Sequence, residues 1–383
     1  MKNVRSLLKV ATILGTRPEI IRLSMVMTLL DKYVNHIIVH TGQNYDYELN
    51  EIFFNDLEIR KPDFYLDVNT SSLGTVYGDT IIKSEHILKR EKPDAVLLLG
   101  DTNSCIAGII AKRLRIPIYH MEAGNRCFDF NVPEEINRMV IDHIADFNLV
   151  YTEHARRHLI SEGLPHRGIY LTGSPMYEVL NYYKDKIEKS DILNRLNLKQ
   201  EEYFIVSIHR EENVDNEKNL AKIITTLNSI VENYNKPVIV TTHPRTRKHL
   251  ERLKNCVINN HIKFLPPFGY TDYIKLQKNA ICVISDSGTI SEESAILKFP
   301  AVTLRNSMER PEALDAGTII LTGLEETIIL DSINLAIEKS STYHNIQIPP
   351  EYEIENTSWR VVQLILGTAK LSNLWNGINQ IDY

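Results

Sequence analysis

Carboxylates, guanidinium groups and a histidine recur in this chain immediately after short apolar runs. Gly15-Thr16-Arg17-Pro18-Glu19, Gly100-Asp101-Thr102-Asn103, His120-Met121-Glu122-Ala123-Gly124-Asn125-Arg126 and Ser285-Asp286-Ser287-Gly288 each close such a run. In an open α/β sheet, ligands bind beyond the carboxyl ends of the strands, where backbone amides and helix N-termini converge. Asp101 and Glu122 are therefore candidates for acid–base work. Glu134, Glu135 and Arg138 follow Pro133, and His209 opens His209-Arg210-Glu211-Glu212. Arg17 at a helix start can clamp a phosphate, Ser287 and Gly288 can offer it amides, and Arg310 adds a cation. Glu292 or Glu293 can accept from sugar hydroxyls. A Gly-x-Gly-x-x-Gly string and a Walker lysine motif are both missing, so dinucleotide and P-loop readings lose their main support.

Each group also has a plainer reading. Arg17 can be a solvated residue of a tight turn, and Asp101 taken alone is a helix cap. Glu122 follows apolar Ile118 and Met121, so it either pairs with an arginine such as Arg126 or carries a raised pKa. Acidic residues in a first turn are ordinary dipole partners, which accounts for one of Glu134 and Glu135. Glu134 and Arg138 nevertheless share a helix face at (i, i+4) spacing. His154 and His158 have helical spacing but no third ligand nearby, and read as an exposed basic face rather than a metal site.

With 383 residues the chain is too long for one ordinary core, and two domains are expected. A net charge of -6 gives no general attraction for nucleic acid or anionic lipid, so an anionic substrate must meet local arginines. Cys105, Cys127, Cys256 and Cys282 lack any Cys-x-x-Cys pairing, which argues against a zinc or disulfide framework; Cys105 and Cys282 read as buried thiols. No apolar run approaches the ~20 residues a bilayer requires, and the N-terminus does not resemble a signal peptide. The chain reads as cytosolic, with no membrane and no nucleic-acid partner.

Strand and helix patterns alternate along the chain. Strands are expected at Leu7–Leu14, His36–His40, Ala95–Leu99, Ile116–Met121, Phe147–Tyr151 and Ile169–Leu171. Helices are expected at Pro18–Leu30, 46–55 and Leu73–Arg90. After a charged stretch near residue 185 the rhythm restarts. Strands follow at Tyr203–Ile208, Val238–Thr242, Ile262–Leu265, Ile281–Ser285 and Ala301–Leu304, with helices at Glu217–Glu232 and Ile290–Leu297. These are two doubly wound, Rossmann-like α/β domains, expected to face each other across a cleft: residues 1–180 with the carboxylates and 181–357 with the anion site. Residues 342–355 read as a connector. Residues 358–383 supply a terminal helix returning to the first domain.

Taken in order, these strings resemble the non-hydrolysing UDP-N-acetylglucosamine 2-epimerases. The matches are Gly-Thr-Arg-Pro-Glu at 15, Thr-Gly-Gln at 41, Gly-Asp-Thr at 100, Glu-Ala-Gly at 122, Pro-Glu-Glu-Ile-Asn-Arg at 133, His-Arg-Glu at 209, Ser-Asp-Ser-Gly at 285 and Glu-Arg-Pro-Glu-Ala at 309. The resemblance implies the glycosyltransferase-B fold and catalytic roles for Asp101, Glu122, Glu134, Arg138 and His209. It implies UDP or substrate contacts for Arg17, Arg22, Asn125, Arg126, His243, Ser287, Gly288, Glu293 and Arg310. It also implies a homodimer, with no cofactor and no metal. The sequence departs from the gluco-type pattern at Asn125-Arg126-Cys127-Phe128-Asp129. It departs again at Asn44-Tyr45-Asp46-Tyr47, where the His-Arg pair tied to a second, activating substrate is missing. The first departure, with Ile20-Ile21-Arg22-Leu23-Ser24, looks most like the UDP-N-acetyl-L-fucosamine synthase branch. Those enzymes act on UDP-2-acetamido-2,6-dideoxy-L-talose for capsule or O-antigen assembly. The rivals are UDP-N-acetylglucosamine or diacetamido-uronate epimerisation, a glycosyltransferase of the same fold, and a non-catalytic nucleotide-sugar sensor.

Overall fold

The computed structural model describes residues 8–42, 53–253, 256–342 and 347–378. Two compact units account for the chain: Met1–Asn181 together with Glu351–Tyr383, and Tyr182–Pro350. Each is built on one parallel sheet.

The first sheet has seven strands: β1 (Lys9–Leu14), β2 (Asn35–His40), β3 (Phe64–Tyr65), β4 (Ala95–Leu99), β5 (Ile118–Ala123), β6 (Phe147–Val150) and β7 (Ile169–Leu171). Their spatial order is β3-β2-β1-β4-β5-β6-β7. β4 shows why such strands form. Its five residues are apolar and all buried, as a parallel strand covered on both faces requires. Val10, Ala11 and Thr12 of β1 pair in register with Ala95, Val96 and Leu97. Ala11, Ile13, Val39, Val96, Leu98 and Ile118 then share one core with Ile106, Ala107 and Ile141 from the covering helices.

The second sheet has six: β8 (Phe204–Ser207), β9 (Val238–Thr241), β10 (Ile262–Leu265), β11 (Val283–Ser285), β12 (Ala301–Thr303) and β13 (Ile320–Leu321), in the order β10-β9-β8-β11-β12-β13. Its core joins Phe204, Val206, Val240, Ile284 and Val302 to Ile223, Leu227 and Ile230 of the helix Glu217–Tyr234 and Ile333 of the helix Glu326–Thr342.

Most expected elements appear within a few residues of their expected bounds. The helix after β1 runs Arg17–Tyr33, and the one expected to begin at Leu73 runs Leu73–Glu91, opened by a Ser72–Thr75 capping box. β3 and β13 were not expected, because a two-residue edge strand leaves no periodicity to read. The helix expected over 46–55 falls mostly outside the described residues. The terminal helix expected within residues 358–383 runs Thr357–Trp375. It is fastened to the first unit by Tyr119 Oη to Thr368 Oγ1 (2.6 Å), Asn373 Nδ2 to the Arg115 carbonyl (2.9 Å) and Thr357 Oγ1 to the Thr172 carbonyl (3.1 Å).

Candidate active site

In the first sheet β1 has β2 on one side and β4 on the other, so the loops after β1 and β4 leave the sheet at a topological switch point. Glu19 binds the two loops together. Its carboxylate accepts from the Gly15 amide (3.1 Å), Thr16 Oγ1 (2.7 Å), Thr102 Oγ1 (3.1 Å) and Ser104 Oγ. Burial pushes this carboxyl above its ordinary pKa, and the bonds from Ser104, Thr16, Gly15 and Thr102 offset only part of that. The Gly15 amide is thus already answered by Glu19. Arg17 is half-buried, with its guanidinium 5.7 Å from the Phe53 ring centroid.

The loop after β4 is held by an arginine. Arg138, in the helix Pro133–Ile144, sends Nε (3.0 Å) and Nη2 to Asp101 Oδ2, and Nη1 to Glu135 Oε2 (2.6 Å). Two expectations change here. Asp101 caps no helix: Thr102 stands at the N-cap of the short 3-10 turn Asn103–Ile106, and Asp101 is an ion-pair partner. The hydrogen-bonded partner of Arg138 on its own helix is Glu135 at (i, i+3), whereas Glu134 is half-exposed. Glu135 also accepts from the Cys127 amide (3.2 Å), the Cys127 thiol (3.2 Å) and the Phe128 amide (3.0 Å), anchoring the Asn125–Asp129 segment. Asn137 Nδ2 donates to the Asp101 carbonyl (2.9 Å), and Tyr77 Oη donates to Asn137.

β5 ends in a distorted turn. Its register against β6 shifts between Met121 and Ala123, and Glu122 itself sits at φ 64°, a left-handed conformation costly for a side chain of this size. The kink aims the Glu122 carboxylate at Arg22, whose Nη1 donates to Oε2 at 2.5 Å, while Asn125 Nδ2 donates to Oε1 at 3.3 Å. Gly100, at φ 70°, takes the left-handed turn beside it, and a Cβ there would meet Glu122 Oε2 only at an ordinary contact of 3.5 Å. Arg126 is not the partner of Glu122, and its side chain is buried within the unit. It is 2 % exposed, giving Nε and Nη2 to Glu162 (2.7 Å each) and Nη1 to Asp142 Oδ2 (2.7 Å) and the Asn125 carbonyl (2.7 Å).

Asp142 is the hub beneath this turn, accepting also from the Gly124 amide (3.1 Å) and facing His120 Nδ1 (2.8 Å). Burial alone would raise its pKa; the hydrogen bond and charge of His120, then Arg126, outweigh that and hold it below the usual carboxylate range. His120 donates through Nε2 to the Gly100 carbonyl (2.8 Å), tying the β4 and β5 loops together. His158, expected on an exposed basic face, instead donates through Nδ1 to the Gly124 carbonyl (2.9 Å) and meets the Phe128 ring edge-on.

In the second sheet β8 lies between β9 and β11, so the β8 and β11 loops again diverge at a switch point. His209 follows β8, with its side chain 50 % exposed and Nδ1 3.1 Å from Asp286 Oδ1. Asp286, buried after β11, accepts from the amides of His209 (3.1 Å) and Arg210 (3.0 Å) and from Asn213 Nδ2 (3.0 Å). Burial pushes its carboxyl up, but His209, Asn213 and the Arg210 amide together hold it below the ordinary range. Ser287 gives its amide to Ser285 Oγ (3.0 Å), so of the two amides expected to cradle phosphate, Gly288's is the one with no acceptor among the described residues.

Gly288 lies against a charge ladder. A Cβ there would be 2.7 Å from Glu309 Oε1 and 3.3 Å from Arg310 Nη1. In that ladder Arg305 donates to Glu309 (2.5 Å), Arg310 Nη1 donates to Glu309 (3.0 Å), and Arg310 Nε donates to Glu292 (3.2 Å). Glu293 accepts from Gln277 Nε2 (2.9 Å). His243, half-buried after β9, completes the carboxyl edge of this sheet.

The arrangement suits proton transfer in the first unit and anion binding in the second. Among the described residues no group of three or more His, Cys, Asp or Glu side chains could hold a metal, and no helix is long and apolar enough to cross a membrane. Sequence reasoning gave no role to Glu19, Asp142 or Asp286, and offered Glu135 only as one of two first-turn carboxylates. The available signal was their place inside the quoted strings, one or two residues from groups that were chosen; Asp142 had none.

Residues 29–366 match the family model described as UDP-N-acetylglucosamine 2-epimerase. A solved UDP-N-acetylglucosamine 2-epimerase from Rickettsia bellii superposes with a TM-score of 0.89 at 45% identity, covering 97% of this chain and 100% of that one. The Methanocaldococcus jannaschii UDP-GlcNAc 2-epimerase, solved in complex with UDP-GlcNAc and UDP, superposes at 0.88 with 34% identity over 94% and 100%. The UDP-2,3-diacetamido-2,3-dideoxy-D-glucuronate 2-epimerase of Pseudomonas aeruginosa is 34% identical over 338 residues, 87% of this chain and 93% of the relative.

Proposed function

The chain belongs to the UDP-N-acetylglucosamine 2-epimerase family and is a UDP-sugar 2-epimerase, and from that premise we propose its substrate and the division of labour among its residues. The proposed reaction interconverts UDP-2-acetamido-2,6-dideoxy-L-talose and UDP-N-acetyl-L-fucosamine, serving capsule or O-antigen assembly. The C2 hydrogen of such a sugar is not adjacent to a carbonyl, so its direct removal is slow. In elimination a base takes the C2 proton, the C1–O bond breaks, UDP departs with the bonding electrons, and a C1=C2 double bond forms. Return of UDP to C1 with protonation of C2 on the opposite face gives the epimer.

The observation that carries this reading is the pair of carboxylates at neighbouring strand ends, Asp101 and Glu122, each held by a buried guanidinium, Arg138 and Arg22. Groups fixed in this way lose little orientational freedom when a sugar binds, and Glu134, half-exposed on the next helix, supplies a third carboxylate. His209 serves as a further proton-transfer group. In the second unit, Arg310, Ser287 and Gly288 are assigned to the diphosphate and Glu293 and His243 to the rest of the nucleotide; Arg17 and Asn125 are assigned to the sugar phosphate and the sugar. Asn125 lies beside Glu122, and Glu135 anchors the following residues, which supports the Asn125–Asp129 segment as the determinant of sugar choice. A homodimer is proposed as well, for which Ile82 of the helix Leu73–Glu91 and Ile136 and Val140 of the helix Pro133–Ile144 offer exposed apolar surface.

Proton NMR in deuterated water with the talo, gluco and diacetamido-uronic UDP-sugars tests the reading. The product should carry deuterium at C2 without added NAD. The 6-deoxy-L-talo sugar should be preferred over UDP-N-acetylglucosamine by at least ~100-fold in kcat/KM, about 2.7 kcal/mol of discrimination. Retained C2 hydrogen in the product would refute elimination. Faster turnover of the gluco or diacetamido-uronic sugar would move the substrate to that branch.

A further inference from the structure

The two units each contain a histidine facing a buried aspartate, and they are built differently. His120 is fully buried and has both ring nitrogens engaged, with Asp142 and with the Gly100 carbonyl. Nothing of that ring is left to meet a substrate. His209 is half-exposed, engages Asp286 through Nδ1 alone, and has no partner for Nε2 among the described residues. It stands at the β8–β11 switch point, where an open α/β sheet takes its ligand.

Resting on the epimerase reading above, we propose that Asp286 is a positioning residue for catalysis: it locks His209 with Nδ1–H turned inward, so that Nε2 is the ring atom that exchanges a proton with the bound sugar nucleotide. The donors around Asp286 settle the tautomer. Oδ1 and Oδ2 both receive the His209 amide, and Oδ2 also receives the Arg210 amide (3.0 Å) and Asn213 Nδ2 (3.0 Å). Every one of these groups is a donor, so the carboxylate is an acceptor at each contact, and its charge, with Oδ1 3.1 Å from Nδ1, favours the ring proton on Nδ1. A neutral imidazole carries one proton, which leaves a lone pair on Nε2. When Nε2 takes a proton, the new positive charge lies beside a carboxylate already fixed in place, the logic by which an aspartate assists a catalytic histidine. Asp286 is itself held by backbone amides and by Asn213, which in turn bonds the Leu304 carbonyl (3.2 Å), so the dyad does not depend on a mobile partner.

Asp286→Asn reverses this arrangement. The Oδ2 position faces two donors besides the His209 amide, so the new amide oxygen must occupy it and the NH2 must face Nδ1. Nδ1 then accepts, and the neutral ring carries its hydrogen on Nε2.

The test is long-range proton–nitrogen NMR of the full-length protein labelled at histidine nitrogen, with His209→Gln identifying the His209 signals. At alkaline pH the wild-type ring should show protonated Nδ1 and bare Nε2, and Asp286→Asn should exchange them. In the same variant kcat should fall at least ~100-fold, the range for loss of a general acid–base group, with UDP affinity by calorimetry within about threefold of wild type. A wild-type ring protonated on Nε2 overturns the proposal, and that spectrum decides it even if the variant does not fold. Exchange of the tautomer without loss of kcat overturns it equally. If the wild type turns over no UDP-sugar, the epimerase reading has failed and the proton-exchange role falls with it, whatever the tautomer.

Discussion

Glu122→Gln separates chemistry from packing at the centre of the first unit. The carboxylate is 12 % exposed and its partner Arg22 2 % exposed, so the pair is effectively inside the protein. Removing one partner of a buried pair costs about 3–5 kcal/mol, chiefly because the other charge loses its counterion. Glutamine keeps an oxygen where Arg22 Nη1 donates, and a neutral acceptor makes a bond roughly half as strong as a charged one, leaving a loss of about 2 kcal/mol. For a domain of this size that is a melting-temperature drop of about 4–8 °C. Turnover should fall far more steeply, at least ~100-fold, because the amide cannot accept the C2 proton. Scanning calorimetry, UDP titration and the deuterium-exchange assay measure the three quantities. UDP affinity should stay within about threefold of wild type, since the nucleotide is assigned to the other unit and to Arg17, not to Glu122. If UDP affinity falls in parallel with turnover, Glu122 is a structural partner of Arg22 and its role in proton transfer is refuted. An unchanged melting temperature would refute the energetic argument for the pair.

Arg310→Lys keeps a cation beside Glu309 and Glu292 but loses the guanidinium fork. UDP affinity measured by calorimetry should drop on the order of tenfold while the protein still folds. Gly124→Ala should destabilise by more than about 1 kcal/mol in urea unfolding, because φ is 79° and the new Cβ would lie 2.4 Å from the Ala155 carbonyl oxygen. Burial holds the His40 pKa at about 4, against 6.5 for a free histidine. The unfolded chain therefore binds this proton first as pH falls, so the contribution is full above 6.5 and is lost between there and 4, worth at most about 3 kcal/mol. Urea unfolding at both ends of that window, with His40→Asn showing the shallower dependence, checks the sign.

The strands were legible because each parallel strand is a short apolar run with a polar loop at its carboxyl end, and Ala95–Leu99 is the plainest case. The edge strands Phe64–Tyr65 and Ile320–Leu321 were not, since two residues carry no pattern. Within the site, the strings lie in the loops where these charged groups gather, but some ion-pair partners differ from those expected. Arg126 lies four residues from Glu122 and looked like its partner; the left-handed backbone at Glu122 and Gly124 turns the two apart, and Arg22, a hundred positions earlier, takes the place. Glu134 and Glu135 are indistinguishable in sequence, and only the rotation of their helix decides which one reaches Arg138. Asp142 was silent because its partners, His120, Gly124 and Arg126, converge on it from another element.

The return of the last helix has a consequence for how the molecule comes into being. Synthesis runs from the N-terminus, so the unit Tyr182–Pro350 is complete on the ribosome before the helix Thr357–Trp375 has been made. The first unit, although its sheet is translated first, must wait for that helix to cover Tyr119 and Arg115. The later-coded unit is therefore free to fold first, while the first unit holds an uncovered face until that helix has been made. A nascent chain halted near residue 350 would expose that face, and chaperones that recognise apolar surface should bind there and release as the final helix emerges.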